Sequence, residues 1–470
     1  MGNCCGKRKD YKHVKTDETE VADLENMEQS QSVSPQQRLE FVIEEELVNE
    51  DTVHLEPPAL LKTEHIPDPD DTTDFPFFRD QKTINHIQKS QTMFIMRGPS
   101  GCGKSSLVRK IESIYRSAVV CSADDYFMGE DGQYEFDSSH LSYAHKDCQD
   151  KAKAACSHGN RVVVIDNTNI KRWEMKPYIE TAKTHQYVVI MLEPRTKWRY
   201  DAEELAKRNS HGVKADDIRK KIKDFQECAP YYFGWFLTVS DSLHLKDIAK
   251  DCLIECVKNY PDIRDKMFPK IESLADLTEE MVYQYFSLDG TETPRLLHCT
   301  AKFIGNPKNP VPRRAEYLQR EDVKAAGGKV FELTITGITV SPRTIGARVV
   351  LTTAQCKLFD KPEEEERDKI LTRSSSTNRV NSLGPETITN IPERGRSAHI
   401  TIAAADGVKN VQTTFDLLDI CDLEWKNLME VKNMESIQFK SGSMRHIGGD
   451  FCEVNLSSPI RVCTLFSGFY

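Results

Sequence analysis

A chain of 470 residues is long enough for two or three domains that each bury a core. Its 14 cysteines come with no apolar leader, no C-x-x-C pair and no zinc-type spacing, and no run of about 18 apolar residues occurs. A secreted disulfide scaffold and a membrane-spanning helix are thereby excluded, and a reducing cytoplasmic setting fits best. The formal charge of −10 is uneven: residues 15–74 hold 18 acidic and 3 basic side chains, residues 1–14 net +3, and the remainder is close to neutral.

The N-terminus reads Met1-Gly2-Asn3-Cys4-Cys5-Gly6-Lys7-Arg8-Lys9. Gly2 can take an acyl chain, Cys4 and Cys5 a second one, and the basic cluster favours an anionic surface, so the combination predicts anchoring at the inner face of a membrane. Gly6 departs from the Ser or Thr preferred there for myristoylation. From there to about residue 75 the chain is acidic and poor in aromatics, which predicts a disordered tether, with Leu39 to Val48 able to become helical on a partner.

Residues 76–225 alternate strand-like and helix-like texture: strands at Thr92–Met96, Ala118–Cys121, Arg161–Ile165 and Tyr187–Leu192, a helix at Tyr143–Ala155, and a charged helical stretch from Asp201 to Asp224. This alternation predicts a parallel sheet covered by helices. Between the first strand and a helix lies Gly98-Pro99-Ser100-Gly101-Cys102-Gly103-Lys104-Ser105, a full match to G-x-x-x-x-G-K-[ST]. Gly98, Gly101 and Gly103 let backbone N–H groups curl around phosphate, Lys104 adds charge and Ser105 can ligate magnesium, so ATP or GTP with Mg is the expected ligand. Asp166, ending a buried strand, is placed to act on the magnesium shell. Asp124, with Asp125 beside it, stands where a small kinase keeps the base for an acceptor hydroxyl. Lys207 and Arg208 are candidate lid cations.

Residues 226–470 have an α+β texture, with strands at Lys329–Thr336 and Ala347–Thr352 and a long polar insertion from Phe359 to Arg396. Cys252 and Cys256, four apart in a helical pattern, mark a packed face rather than a metal site. Two short echoes stand out, His298-Cys299-Thr300 and His399-Ile400-Thr401, each inside an apolar run. A period-2 strand sends His and Thr of such a triplet to one face. A lone His-x-Thr is more often a core histidine, but two copies about a hundred residues apart predict one site. There, His298 and His399 flank a phosphate, one taking a proton from water and the other giving one to the leaving oxygen, and Thr300 and Thr401 hold the phosphoryl oxygens. No metal is required for that chemistry.

Taken together, FIMRGPSGCGKS, SADDYF, VVVIDNTN, LEPRTKWR, YYFGWFL, LLHCTAKF, AHIT and VQTTFDLLDI resemble the vertebrate 2′,3′-cyclic-nucleotide 3′-phosphodiesterases of myelin and their fish regeneration-associated relatives, from about Phe75 to Tyr470. The resemblance implies an α/β P-loop domain similar to polynucleotide kinase, followed by an α+β two-lobed domain of the 2H phosphoesterase superfamily. It implies hydrolysis of 2′,3′-cyclic nucleotides, or of RNA 2′,3′-cyclic phosphate ends, to 2′-phosphates. It assigns His399 as the base that activates water, His298 as the acid, Thr300 and Thr401 as phosphate ligands, and Tyr232 and Phe303 as aromatics near the nucleotide. Arg396 is offset by one residue from the family's arginine, and Ser397 takes the family's position. The mammalian enzymes end in a prenylated C-a-a-X box, whereas this sequence reads Phe466-Ser467-Gly468-Phe469-Tyr470, so either the sequence is truncated or the membrane signal lies at the N-terminus. Two further readings compete with a cyclic phosphodiesterase: an RNA end-healing kinase and phosphodiesterase, and a lipid-anchored adaptor for RNA or cytoskeleton.

Overall fold

The computed structural model describes residues 73–129, 131–290, 296–305, 312–360, 395–430 and 434–470, all within one compact unit spanning residues 66–470. The acyl-acceptor candidates Gly2, Cys4 and Cys5, the acidic tether and nearly all of the polar insertion lie outside the described residues.

The first sheet is parallel. Strands β1 (Thr92–Met96), β2 (Val119–Cys121), β3 (Val162–Ile165) and β4 (Val188–Leu192) stand in the order β2-β3-β1-β4, with Phe94 level with Val164 and Ile190. The β-branched and aromatic residues of the central strands β1 and β3 are buried on both faces, as a helix-covered parallel sheet requires. The intervening helices are α1 (Lys104–Ile114), α2 (Leu141–Ser157) and α3 (Arg172–Thr184). The charged stretch expected as helical resolves into two helices, α4 (Ala202–Arg208) and α5 (Ala215–Lys223). Gly212 breaks it with φ +63°, and Asp201 caps α4 by accepting from the N–H groups of Glu203 and Glu204.

The second sheet is antiparallel and eight-stranded among the described residues. It runs β10 (Ser436–Phe439), β11 (Gly442–Gly448), β12 (Phe451–Phe469), β5 (Tyr232–Phe236), β6 (His298–Phe303), β9 (His399–Ala404), β8 (Thr344–Val350), β7 (Val330–Val340). Strand β12 also pairs with β7, so the pairings close a ring through β5, β6, β9, β8, β7 and β12. Helix α6 (Val239–Asn259), capped by Thr238, shares a core with the inward residues of this ring, among them Trp235, Cys299, Ile400 and Ala347. Cys252 and Cys256 are fully buried in that core, as the packed-face reading expects. Helix α7 (Gln412–Met429) packs against β8, β9 and β11. The expected order of fold classes, an α/β P-loop part and then an α+β part, is the one observed.

The two sheets share apolar contacts. Phe77, Phe94 and Ile190 from the first part join Phe236, Val330 and Leu465 from the second in one cluster, and Ser467 Oγ donates to the Val189 carbonyl at 2.6 Å.

Candidate functional site

Two strands that are far apart in sequence meet through one antiparallel pair, Cys299 with Ile400. Both of these side chains are fully buried in the core shared with α6. Their neighbours therefore face the other way, and the register sets His298 across from Thr401 and Thr300 across from His399. Each imidazole stands beside the hydroxyl of the other triplet.

The two histidines are held differently. His399 is 7% exposed, and its Nδ1 lies 2.7 Å from the Ser397 carbonyl. A carbonyl only accepts, so Nδ1 carries the proton and the neutral ring keeps its lone pair on Nε2. His298 is held by rings. Tyr232 stacks on it at 4.7 Å and 15°, and Phe236 lies at 5.3 Å and 31°. Tyr232 also stacks on Phe469, its partner in β12, at 4.9 Å and 8°. Phe469 is the cross-strand partner of Tyr232, whereas His298 is paired with Phe236, so the Tyr232 and His298 rings lean along their strands to meet.

A register shift between β5 and β6 at Phe233 and Gly234 leaves Ala301 as the extra residue on β6. Beyond that bulge Lys302 turns inward to pair with Asp360 at 2.8 Å, and Phe303 turns out, 52% exposed. Thr401 Oγ1 makes a long contact of 3.5 Å with the Asn410 carbonyl. Its cross-strand partner Gly346 leaves no room for a side chain, since a Cβ there would meet Thr413 Cγ2 at 2.8 Å. Arg396, half-buried, lies in the turn that opens β9, after Gly395 with φ +97°.

Beside His399, its cross-strand partner Arg348 donates to both carboxylate oxygens of Glu424 at 2.9 and 2.7 Å and to Glu453 at 2.5 Å. Arg445 donates to the same two carboxylates. Burial opposes the charge on Glu453, but Arg348 and Arg445 outweigh it and hold the carboxyl below its ordinary value. This cluster ties α7 to β8, β11 and β12. Sequence reading missed it, because its members lie far apart and in no motif.

At the first sheet, Gly98, Gly101 and Gly103 take φ of +135°, +83° and +105°. Lys104 Nζ donates to the Gly98 and Pro99 carbonyls at 3.0 and 3.1 Å, and Ser105 is exposed on the first turn of α1. A Cβ at Gly101 would lie 2.5 Å from the Leu205 carbonyl, so α4 rests directly on the loop. Asp166 follows β3, and burial pushes its carboxyl up, partly offset by Lys104. Asp124 accepts from the Tyr134 hydroxyl at 3.2 Å and faces His211 Nε2 at 3.5 Å. The glycine cradle, Lys104 and Asp166 fit a magnesium nucleotide. Lys207 pairs with Glu204 and Arg208 lies over Trp198 at 4.1 Å. Lys221 on α5 is largely buried, and desolvation and then the charge of Lys104 lower its pKa. Its place in a run of charged residues gave no signal that would have singled it out.

Comparison with known proteins agrees with this division. Residues 93–228 match the AAA domain model, and residues 229–470 match the model of 2′,3′-cyclic nucleotide 3′-phosphodiesterase (CNP or CNPase). The chain is 41% identical over 149 residues to human NEDD4-binding protein 2, which covers 30% of this chain and 8% of that protein. It is 32% identical over 409 residues to the 2′,3′-cyclic-nucleotide 3′-phosphodiesterase of Mus musculus and 31% identical over 409 to that of Rattus norvegicus, in each case 84% of this chain and 87% of the relative. With a likeness that runs through both sheets and a family model that takes in both histidine strands, the chain belongs to the 2′,3′-cyclic-nucleotide 3′-phosphodiesterase family.

Proposed function

We propose that the protein hydrolyses nucleoside 2′,3′-cyclic phosphates to 2′-phosphates with His399 as general base and His298 as general acid. The observation that carries the reading is the register that puts both imidazoles and both threonine hydroxyls on one face of β6 and β9. Water attacks phosphorus and gives its proton to Nε2 of His399, the P–O3′ bond breaks, and His298 protonates the departing 3′-oxygen. The Ser397 carbonyl supports the base role, because it keeps Nε2 of the neutral ring as the acceptor. Thr300, Thr401 and Arg396 bind the phosphoryl oxygens, and exposed Phe303 offers the base a stacking face. Tyr232, enclosed between two rings, acts on His298 instead of receiving the base.

The test is hydrolysis of 2′,3′-cyclic AMP by the wild type and by His298→Ala and His399→Ala. Formation of 2′-AMP, lowered by roughly 10² to 10⁴ in each variant with the fold retained, is expected. Wild-type turnover in either variant refutes the assignment. The acyl-acceptor pattern at Gly2, Cys4 and Cys5 supports membrane association, which cosedimentation of cell-expressed protein with membranes, lost in Gly2→Ala, checks.

The P-loop part is proposed to bind a magnesium nucleotide through Gly98, Gly101, Gly103, Lys104, Ser105 and Asp166. The place of Asp124 beside Tyr134 and His211 favours a second activity there, phosphorylation of a 5′-hydroxyl end with Asp124 as base. ATP-dependent labelling of a 5′-hydroxyl oligonucleotide tests it, and no label leaves a binding site alone.

A further inference from the structure

The row of rings at His298 does not stop at the second sheet. Lys183, in the last turn of α3, places its Nζ 4.8 Å over the ring of Phe469. Phe469 stacks on Tyr232 within 8° of parallel, and Tyr232 stacks on His298 within 15°. Four side chains thus form one column that starts on a helix of the P-loop part and ends on the imidazole of β6. The base of the column is fixed on both sides: Tyr231 N–H donates to the Phe469 carbonyl at 2.7 Å, and Ser467 Oγ donates to Val189 of β4.

We propose that Phe469 and Lys183 are positioning residues for His298, acting through Tyr232 to hold the imidazole at the angle its proton transfer requires. The inference rests on His298 being the general acid. A ring pressed on one face by a near-parallel neighbour loses rotation about its χ2 torsion, and offset-stacked pairs of this kind add attraction beyond burial. The cation over Phe469 adds attraction at the far end. Tyr232 is stacked by Phe469 as well as by His298, and this second contact restricts its swing. A positioned acid matters to turnover far more than to affinity, since small misplacements of a reacting group cost up to about 10²-fold in rate.

The test compares the full chain with Phe469→Leu, Phe469→Tyr, Lys183→Met and His298→Ala, reading kcat and KM for 2′,3′-cyclic AMP. It also reads the resonance of ¹³C-ε1-labelled His298, assigned by its loss in His298→Ala. Expected are a roughly tenfold loss of kcat in Phe469→Leu with KM unchanged, recovery in Phe469→Tyr, a two- to fivefold loss of kcat in Lys183→Met, and a moved His298 resonance in Phe469→Leu and Lys183→Met. An inactive His298→Ala together with wild-type kcat and an unmoved resonance in Phe469→Leu overturns the positioning role and leaves the acid assignment standing. An active His298→Ala overturns the acid assignment itself. Loss of kcat in Phe469→Leu that is matched by a raised KM and not recovered by Phe469→Tyr assigns Phe469 to structure alone. Wild-type kcat in Lys183→Met removes the P-loop part from the column and overturns the proposal as stated.

Discussion

His399 and the Ser397 carbonyl are two residues apart, so the contact that decides which ring nitrogen is basic is made within a single turn. The same economy makes the His-x-Thr triplets readable in the sequence: period-2 geometry alone puts His and Thr on one side. The stack of Phe469 on Tyr232 was not readable, because its ring comes from β12, more than 200 residues further along the chain. Asp166 is a largely buried carboxylate in the P-loop part. Burial raises its pKa and Lys104 offsets only part of this. A carboxyl raised in the folded state binds its proton more tightly there than in the unfolded chain. Ionised Asp166 therefore costs stability near pH 7, and the cost vanishes as pH falls through the folded value. Asp166→Asn is expected to melt at a higher temperature than wild type near pH 7, with the gap closing in acid, and to bind MgATP roughly tenfold or more weakly. Wild-type affinity for MgATP should fall with decreasing pH before an ordinary carboxylate would titrate. Equal melting temperatures near pH 7, or undiminished binding in Asp166→Asn, would count against this account.

Strands β5 and β6 carry Tyr232, Phe236 and His298, and their spacing is set by Gly234. A Cβ there would stand 2.7 Å from the Cys299 carbonyl oxygen, a backbone atom that cannot swing aside. Gly234→Ala is expected to destabilise the fold by about 1–3 kcal/mol and to lower kcat by moving His298 away from Thr401; urea denaturation with parallel kinetics checks both. Unchanged stability would mean that the strands separate without cost. At this scale the alternating segments of residues 76–225 were legible because each buried strand is a short apolar run bounded by turn residues. The bulge that turns Phe303 outward and Lys302 inward was not, since a run such as HCTAKF reads the same with or without an unpaired residue. Nor was the tie from Arg348 to Glu424 and Glu453, whose partners are 76 and 105 residues away in the chain.

The sequence marks a change of texture near residue 226, but the molecule does not separate its cores there. Phe77 and Phe94 pack in the same cluster as Phe236, Val330 and Leu465, so the parallel and antiparallel sheets depend on common contacts. Calorimetry of the full chain is expected to show one cooperative transition for both parts. Phe77→Ala should shift that transition as a whole, at a cost of about 3–5 kcal/mol. Two resolved transitions, only one of them moved by Phe77→Ala, would refute a common core. Strand β12 has a bearing on how such a chain is made. Its 19 residues supply the partner that β5, β7 and β11 each require. During synthesis those earlier strands emerge before residues 451–469 and keep an open hydrogen-bonding edge until then, the condition under which a stalled chain is prone to aggregate.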